Sequence, residues 1–411
     1  MKLLILTQYY PPEIGAPQNR LHELAIRLKK EGIEVEVLTA MPNYPKMEIE
    51  EAYKNGAIKE EEIDGVKVYR SSIFVSKSSS IIARLRNYFS FVWSSYWRGK
   101  KLGKYDFIMV ESPPLFLGYS AMRLSRKLGA KLIFNVSDLW PESAEKLEIV
   151  SNKYLLKLAY NLEAKCYSRS TLITGQTQGI VADIKKRFPE KQVYWLPNGV
   201  DVNFYNPTEI AETDFRERNN FSKEDILFFY GGILGHAQGL EVILHAAKQL
   251  ESQTHIKFIL QGAGPEKEKL QDLAQQLQLS NVSFLPPVKK SEMPFVLKSV
   301  DFSVIPLKKL AIFQGAIPSK IFESLAMQVP IILGVDGEAR DLFIRQGEVG
   351  VYFEPENVNE LARVIRDIVK DTEKSRKLKE NARNYVAEKF NRNKIAKELS
   401  TTLNQIKVLP A

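Results

Sequence analysis

The chain has 411 residues, of which 44% are apolar and 26% charged. Such a length exceeds one ordinary hydrophobic core, and the composition is that of a soluble globular protein. Lys and Arg outnumber Asp and Glu, 58 to 49, for a formal charge of +9. This favours anionic partners, but the basic residues are scattered and form no recognition motif, which argues against nucleic acid.

The N-terminal run Leu3-Leu4-Ile5-Leu6 soon meets Pro11-Pro12 and has no small-residue cleavage site. It reads as a buried first strand rather than a signal peptide. Further strands are expected at Val35–Thr39, Val66–Arg70, Phe107–Val110, Lys131–Asn135, Leu172–Thr174 and Gln192–Trp195, with helical periods such as Leu21, Leu24, Ala25 and Leu28 between them. Strands apolar at nearly every position belong to a parallel sheet covered on both faces. The single cysteine, Cys166, cannot form an internal disulfide, and no Cys/His cluster has metal spacing. Both points suit a cytoplasmic protein. No stretch approaches the ~20 apolar residues of a membrane span.

The rhythm stops over 198–214, after the turn signal Pro197-Asn198-Gly199, and then restarts. Strands are expected at Ile226–Tyr230, Lys257–Gln261, Val282–Leu285, Phe302–Ile305, Ile331–Gly334 and Gly350–Phe353. The expected α/β architecture is therefore two Rossmann-like, doubly wound domains facing a cleft. Their bounds are 1–205 and 206–385, with a C-terminal helix over 386–411 long enough to pack back on the first. Ligands in such sheets sit beyond the carboxyl ends of the strands.

Three loops meet that description. Tyr9 to Pro17 follows the first strand and opens a helix, with Gly15 and Ala16 where backbone N–H groups could meet a phosphate. It lacks G-x-G-x-x-G, which counts against a nicotinamide or flavin site. Gly231-Gly232-Ile233-Leu234-Gly235-His236-Ala237-Gln238-Gly239 crosses the corresponding junction of the second domain without the Gly-Lys-Ser/Thr of a Walker loop. Gly262-Ala263-Gly264-Pro265 is a looser signal of the same kind, equally a plain turn. At Pro318-Ser319-Lys320-Ile321-Phe322-Glu323 a helix starts with a cation and a carboxylate on one face. That pair suits a diphosphate and a ribose diol, or is a surface ion pair.

The order of these pieces resembles family 4 of the retaining glycosyltransferases, whose fold is GT-B. The likeness runs through Pro11-Pro12-Glu13-Ile14-Gly15, Pro197-Asn198-Gly199-Val200-Asp201, Gly262-Ala263-Gly264-Pro265 and Glu323-Ser324-Leu325-Ala326 with Pro330-Ile331-Ile332. Pro42-Asn43-Tyr44-Pro45, Asp138-Leu139-Trp140-Pro141-Glu142-Ser143, Ala237-Gln238-Gly239-Leu240-Glu241 and Pro318-Ser319-Lys320 resemble the bacterial branch of colanic-acid and O-antigen fucosyl- and fucosaminyl-transferases.

The resemblance implies a nucleotide-sugar donor, with UDP favoured over GDP and an N-acetylated hexose or deoxyhexose as the sugar, and a lipid-diphosphate-linked saccharide acceptor. It implies donor contacts from Gly15, Ala16, Gly232, His236, Gln238, Gly262, Pro287, Val288, Ser319, Lys320 and Glu323. Glu323 would bind the ribose and Lys320 the diphosphate, while Asp138, Lys320 and Glu13 are the expected catalytic groups. No cofactor or metal is demanded, since the chain has no Asp-x-Asp. Four positions depart from the wider family: Gly315 replaces the first of two glutamates, Ile233 and Gln238 a basic pair, and Ser137 a histidine.

Residues 81–101 interleave aromatic and basic side chains, as an amphipathic helix on an anionic membrane surface does. Together with the resemblance, this implies a cytoplasmic protein, peripheral on the inner membrane face. The same segment carries an apolar stripe at 81, 85, 89, 92 and 96, which equally suits core packing. Two rivals remain: a nucleotide-sugar epimerase of the same outline, and a non-catalytic nucleotide-sugar-binding partner in polysaccharide assembly.

Overall fold

The computed structural model describes residues 1–13, 15–78, 80–146, 150 and 152–408, leaving aside the side chain of Ala16. Ile14, one of the motif positions, lies outside them. The chain divides into two compact units, Met1–Asn198 with Arg392–Ala411, and Gly199–Asn391. The division falls at Asn198 rather than 205, and the return to the first unit begins at Arg392 rather than 386. The helix Thr372–Lys389 belongs to the second unit, whereas Arg392–Val408 packs on Ala16–Lys30 of the first.

The first unit is built on an eight-stranded sheet. In chain order its strands are β1 (Lys2–Leu6), β2 (Glu34–Ala40), β3 (Glu60–Ile63), β4 (Val66–Ser71), β5 (Phe107–Ser112), β6 (Lys131–Val136), β7 (Leu172–Gly175) and β8 (Val193–Trp195). Their spatial order is β3-β4-β2-β1-β5-β6-β7-β8. All pairings are parallel except β3 with β4. The extra strand β3, Glu-Glu-Glu-Ile, has no apolar run to reveal it; it is a charged edge strand, a device that discourages pairing with other chains. Leu3, Leu4, Ile5 and Leu6 are fully buried, as a strand covered on both faces requires.

The second unit holds a six-stranded, all-parallel sheet in the order β11-β10-β9-β12-β13-β14. The strands are β9 (Ile226–Ile233), β10 (Ile256–Ala263), β11 (Val282–Leu285), β12 (Phe302–Pro306), β13 (Ile331–Gly334) and β14 (Gly350–Tyr352). Gly231, Gly232 and Gly262 therefore lie within β9 and β10, not in loops after them. The strand order reverses between β9 and β12, which makes the carboxyl edge of β9 the expected ligand position in this unit.

The helix Ile81–Gly99 packs by only the C-terminal part of the expected stripe, Val92 and Tyr96. It buries Asn87, Phe91, Val92, Ser95 and Gly99, and exposes Ile81, Ile82, Phe89, Trp93 and Trp97. The packed face is chosen by small and hydrogen-bonding side chains. A β-carbon on Gly99 would lie 2.7 Å from Leu124, so only glycine allows this approach. Asn87 donates to the Phe74 carbonyl at 2.7 Å and accepts from Gln8 at 2.8 Å, while Ser95 donates to Ser120 at 3.0 Å. Among the described residues no helix is long and apolar enough to cross a membrane.

Candidate functional site

In the second unit, β9 and β10 continue side by side beyond the core, with Gly232 opposite Gly262. Their φ angles are 135° and 154°. A β-carbon on Gly262 would stand 1.8 Å from the Gly232 carbonyl oxygen. Glycine is demanded here by backbone approach, and the edge it leaves is free of side chains.

Against this edge sits Lys320, the first residue of the helix Lys320–Ala326. Its Nζ lies 3.8 Å from the centre of the Tyr230 ring, and 3.1 Å from where a Gly232 β-carbon would be. The Tyr230 hydroxyl is turned away, donating to the Ile233 carbonyl at 2.6 Å. Among the described residues no group accepts a hydrogen bond from Lys320. Its stem is half-buried and its amino end turned inward, so burial depresses the ammonium to about 7, with the Glu323 carboxylate pulling the other way. Lys320, Glu323, Ser324, Ser303 and Gly231 line one small cavity of about 30 Å³. A buried ammonium without an acceptor is a candidate for receiving an anion.

The other expected donor contacts spread over neighbouring turns. His236 and Gln238 form a 3₁₀ turn ahead of the helix Glu241–Gln249. His236 is exposed and pairs with Glu266 at 3.0 Å. Ser319 is exposed immediately before Lys320 and caps no N–H through its side chain. Pro287 and Val288 follow β11. Ile233, where the wider family has a cation, is 67% exposed. Gly315 ends the turn Ala311–Gly315 with open space around its β-position.

In the first unit, Gly15 starts the helix Ala16–Lys30 in an extended conformation, φ 178°, that any residue adopts. Its β-position is crowded by the side-chain amide of Gln18. Glu13, expected among the catalytic groups, is held inside the unit as a brace between two loops. It is 2% exposed, and its carboxylate accepts the backbone N–H groups of Asn43 at 2.8 Å, Tyr44 at 2.9 Å and Tyr10 at 3.2 Å. Burial pushes its carboxyl up, partly offset by those N–H groups. The loop after β1 is thereby tied to the Pro42–Pro45 motif. Asp138 is exposed and accepts one hydrogen bond, from the Ser143 hydroxyl at 2.5 Å.

Beneath Asp138 lies a buried polar network that no motif signals. Arg20 bonds both Glu111 and Ser137 at 2.7 Å. Glu111 also accepts from Ser137 and Asn135, and Asn135 accepts from Thr174 at 2.6 Å. Ser137, the residue in the place of the family's histidine, is therefore a node of this network. The sequence hint was polar residues ending otherwise apolar strands, Glu111 in β5 and Asn135 in β6. Among the described residues no three His, Cys, Asp or Glu side chains converge as a metal site.

Comparison with known proteins agrees with this layout. Residues 18–204 match the family described as Glycosyltransferase Family 4, and residues 211–385 match Glycosyl transferases group 1. WcaI of Escherichia coli (strain K12), named for a provisional assignment to glycosyl transfer in colanic acid biosynthesis, is 27% identical over 89% of this chain and 91% of its own. Among solved structures, a sucrose-phosphate synthase from Thermosynechococcus elongatus superposes with a TM-score of 0.74 at 17% identity, covering 99% of both chains. HepE of Anabaena, solved with UDP and glucose, superposes with a TM-score of 0.70 at 18% identity, over 98% of this chain and 99% of its own. The fold is thus GT-B, and each unit matches a glycosyltransferase family model.

Proposed function

We propose that this chain, whose two units are of glycosyltransferase family 4 and group 1 type, transfers a sugar with retention from a nucleotide-sugar donor to a lipid-diphosphate-linked saccharide. The observation that carries the reading is Lys320, an inward-turned cation without a hydrogen-bond acceptor at the carboxyl edge of a parallel sheet. In this reading the second unit holds the donor. Lys320 meets the diphosphate, where charge gathers as the nucleotide leaves, and the bare backbone of Gly232 and Gly262 lets it come close. Glu323, on the same helix, takes the ribose hydroxyls. A cavity of about 250 Å³ lined by Lys308, Gln314 and Asp336 has room for part of the donor sugar. The first unit holds the acceptor, with Asp138 as its exposed carboxylate. UDP is favoured because HepE, of the same fold, was solved with UDP and with UDP-glucose.

The test is calorimetric titration with UDP and GDP. UDP is expected to bind saturably and GDP more weakly. Glu323→Ala is expected to weaken UDP at least about tenfold, since a carboxylate accepting from two hydroxyls contributes on the order of 1.5–3 kcal/mol. Absence of binding by either nucleotide would favour the non-catalytic reading.

A lipid-linked acceptor also calls for a membrane-facing surface. Ile82 and Trp93 of the helix Ile81–Gly99 are 72% and 67% exposed. Tyr154 and Leu158 of the helix Lys153–Arg169, which packs on the same neighbour, Gly118–Leu128, are 82% and 64% exposed. Arg84, Lys100, Lys153 and Lys157 flank them. Apolar tips among cations suit an anionic lipid surface. The protein is expected to sediment with phosphatidylglycerol vesicles at low salt, less so at high salt, and Ile82→Ser/Trp93→Ser to reduce this several-fold; retention of the variant at the wild-type level would remove this face from the proposal.

A further inference from the structure

A cavity of about 560 Å³ opens in the first unit among β4, the turn Glu51–Gly56 and the second half of the helix Ile81–Gly99. Four cations line it, Lys59, Arg70, Arg98 and Lys101, and no carboxylate does. Two of the four are already matched from outside: Arg70 pairs with Glu61 and Arg98 with Glu60, each at 2.6 Å. Lys59 and Lys101 are exposed and have no ion pair among the described residues. The rest of the wall mixes the apolar and aromatic side chains of Met41, Ile49, Tyr53 and Trp97 with the polar Asn55, Ser71, Ser72 and Ser94. Behind that wall Ser71 Oγ and Arg98 Nε are buried without a hydrogen-bond partner among the described residues, each at a cost in free energy.

The position is informative. Met41 follows β2, Ser71 ends β4 and Ser72 follows it, so the cavity stands at the carboxyl edge of the sheet. This is the edge from which the β1 loop and the Asp138 loop also rise. A volume of several hundred Å³ with hydroxyls, an aromatic wall and unmatched ammonium groups has the chemistry of a sugar site with an anionic substituent.

We infer that this cavity binds an acidic saccharide unit, its carboxylate or phosphate held by Lys59 and Lys101 and its hydroxyls by the serines. On the proposed transferase reading, this unit belongs to the acceptor. The enzyme then requires an acceptor already bearing a negatively charged sugar near its growing end, so a reaction adding an acidic or phosphorylated sugar precedes it.

Saturation-transfer NMR on the full-length protein tests this with glucuronate, glucose 1-phosphate and neutral glucose, each with and without saturating UDP to separate the donor site. At least one anionic sugar is expected to bind in the presence of UDP, about tenfold tighter than glucose, and to lose about tenfold in Lys59→Ala/Lys101→Ala. Which anion binds identifies the substituent. Failure of both anions to bind, equal binding of glucose, or no change in the double variant overturns the inference. UDP binding rests on the second unit and is expected to be unaltered by these substitutions. Its absence would sink the donor reading while leaving the anionic-sugar result standing.

Discussion

Replacing Lys320 with Met is expected to weaken UDP binding about a hundredfold while making the unliganded protein more stable, since a charge-assisted contact is lost but a buried ammonium is removed. The two effects share one cause. Lys320 ionises near 7 in the folded chain because its amino end is buried over the Tyr230 ring, against 10.5 for an ordinary lysine. The unfolded chain therefore holds a proton that the folded chain releases between those values. Wild-type stability is expected to rise with pH from about 7 toward 10.5, while below 7 the full penalty of burying the charge applies. The Met variant lacks that slope, and its advantage, on the order of a few kcal/mol near neutrality, shrinks as pH rises. Urea unfolding of both proteins at several pH values measures this directly.

Ligand binding reverses the balance. A diphosphate beside Lys320 favours the ammonium, so above pH 7 the protein is expected to take up close to one proton when UDP binds. The affinity should fall as pH rises through that range. The terminal phosphate of UDP is itself fully ionised above about 7, its second pKa lying near 6, and does not obscure the effect. Titrations in buffers of different ionisation enthalpy count the proton. A wild-type protein that takes up none, or a Met variant that still does, would separate Lys320 from the donor phosphates.

The parts of the fold that were legible are those set by local pattern. Thirteen of the strands follow from apolar runs between turn signals, because β-strands buried on both faces have no choice of residue type. The strand β3 escaped because an edge strand is free to be charged. The helix Ile81–Gly99 was legible as a helix but not by its buried face. Counting apolar residues favours 81, 85 and 89; the structure instead buries Asn87, Ser95 and Gly99, whose fit depends on Phe74, Ser120 and Leu124. Similarly, a lysine and a glutamate three apart marked Lys320 and Glu323 as a pair. That Lys320 turns inward depends on Tyr230 and Gly232, some ninety positions earlier. Glu13 shows the reverse case. Its place in a motif made it a candidate for chemistry, whereas its carboxylate holds two loops together.

Cutting Arg20 from Glu111 is expected to be the costliest single change in the first unit. The guanidinium and the carboxylate are 8% and 3% exposed, and the pair is reached by no competing counter-ion among the described residues. Arg20→Met leaves a buried carboxylate with only the Ser137 hydroxyl and the Asn135 amide as donors. Losing one partner of such a pair costs about 3–5 kcal/mol, which for a unit of this size lowers the melting temperature by roughly 10 °C. Arg20→Met/Glu111→Leu is expected to recover much of that loss, because two charges leave together and apolar surface replaces them. Activity provides the second readout. The network fixes Ser137, and through it the loop carrying Asp138, so the double variant is expected to regain stability without regaining turnover, while UDP affinity stays at the wild-type level. A double variant restored in both stability and turnover would make the network purely structural and would move the assignment of acceptor-side chemistry away from Asp138.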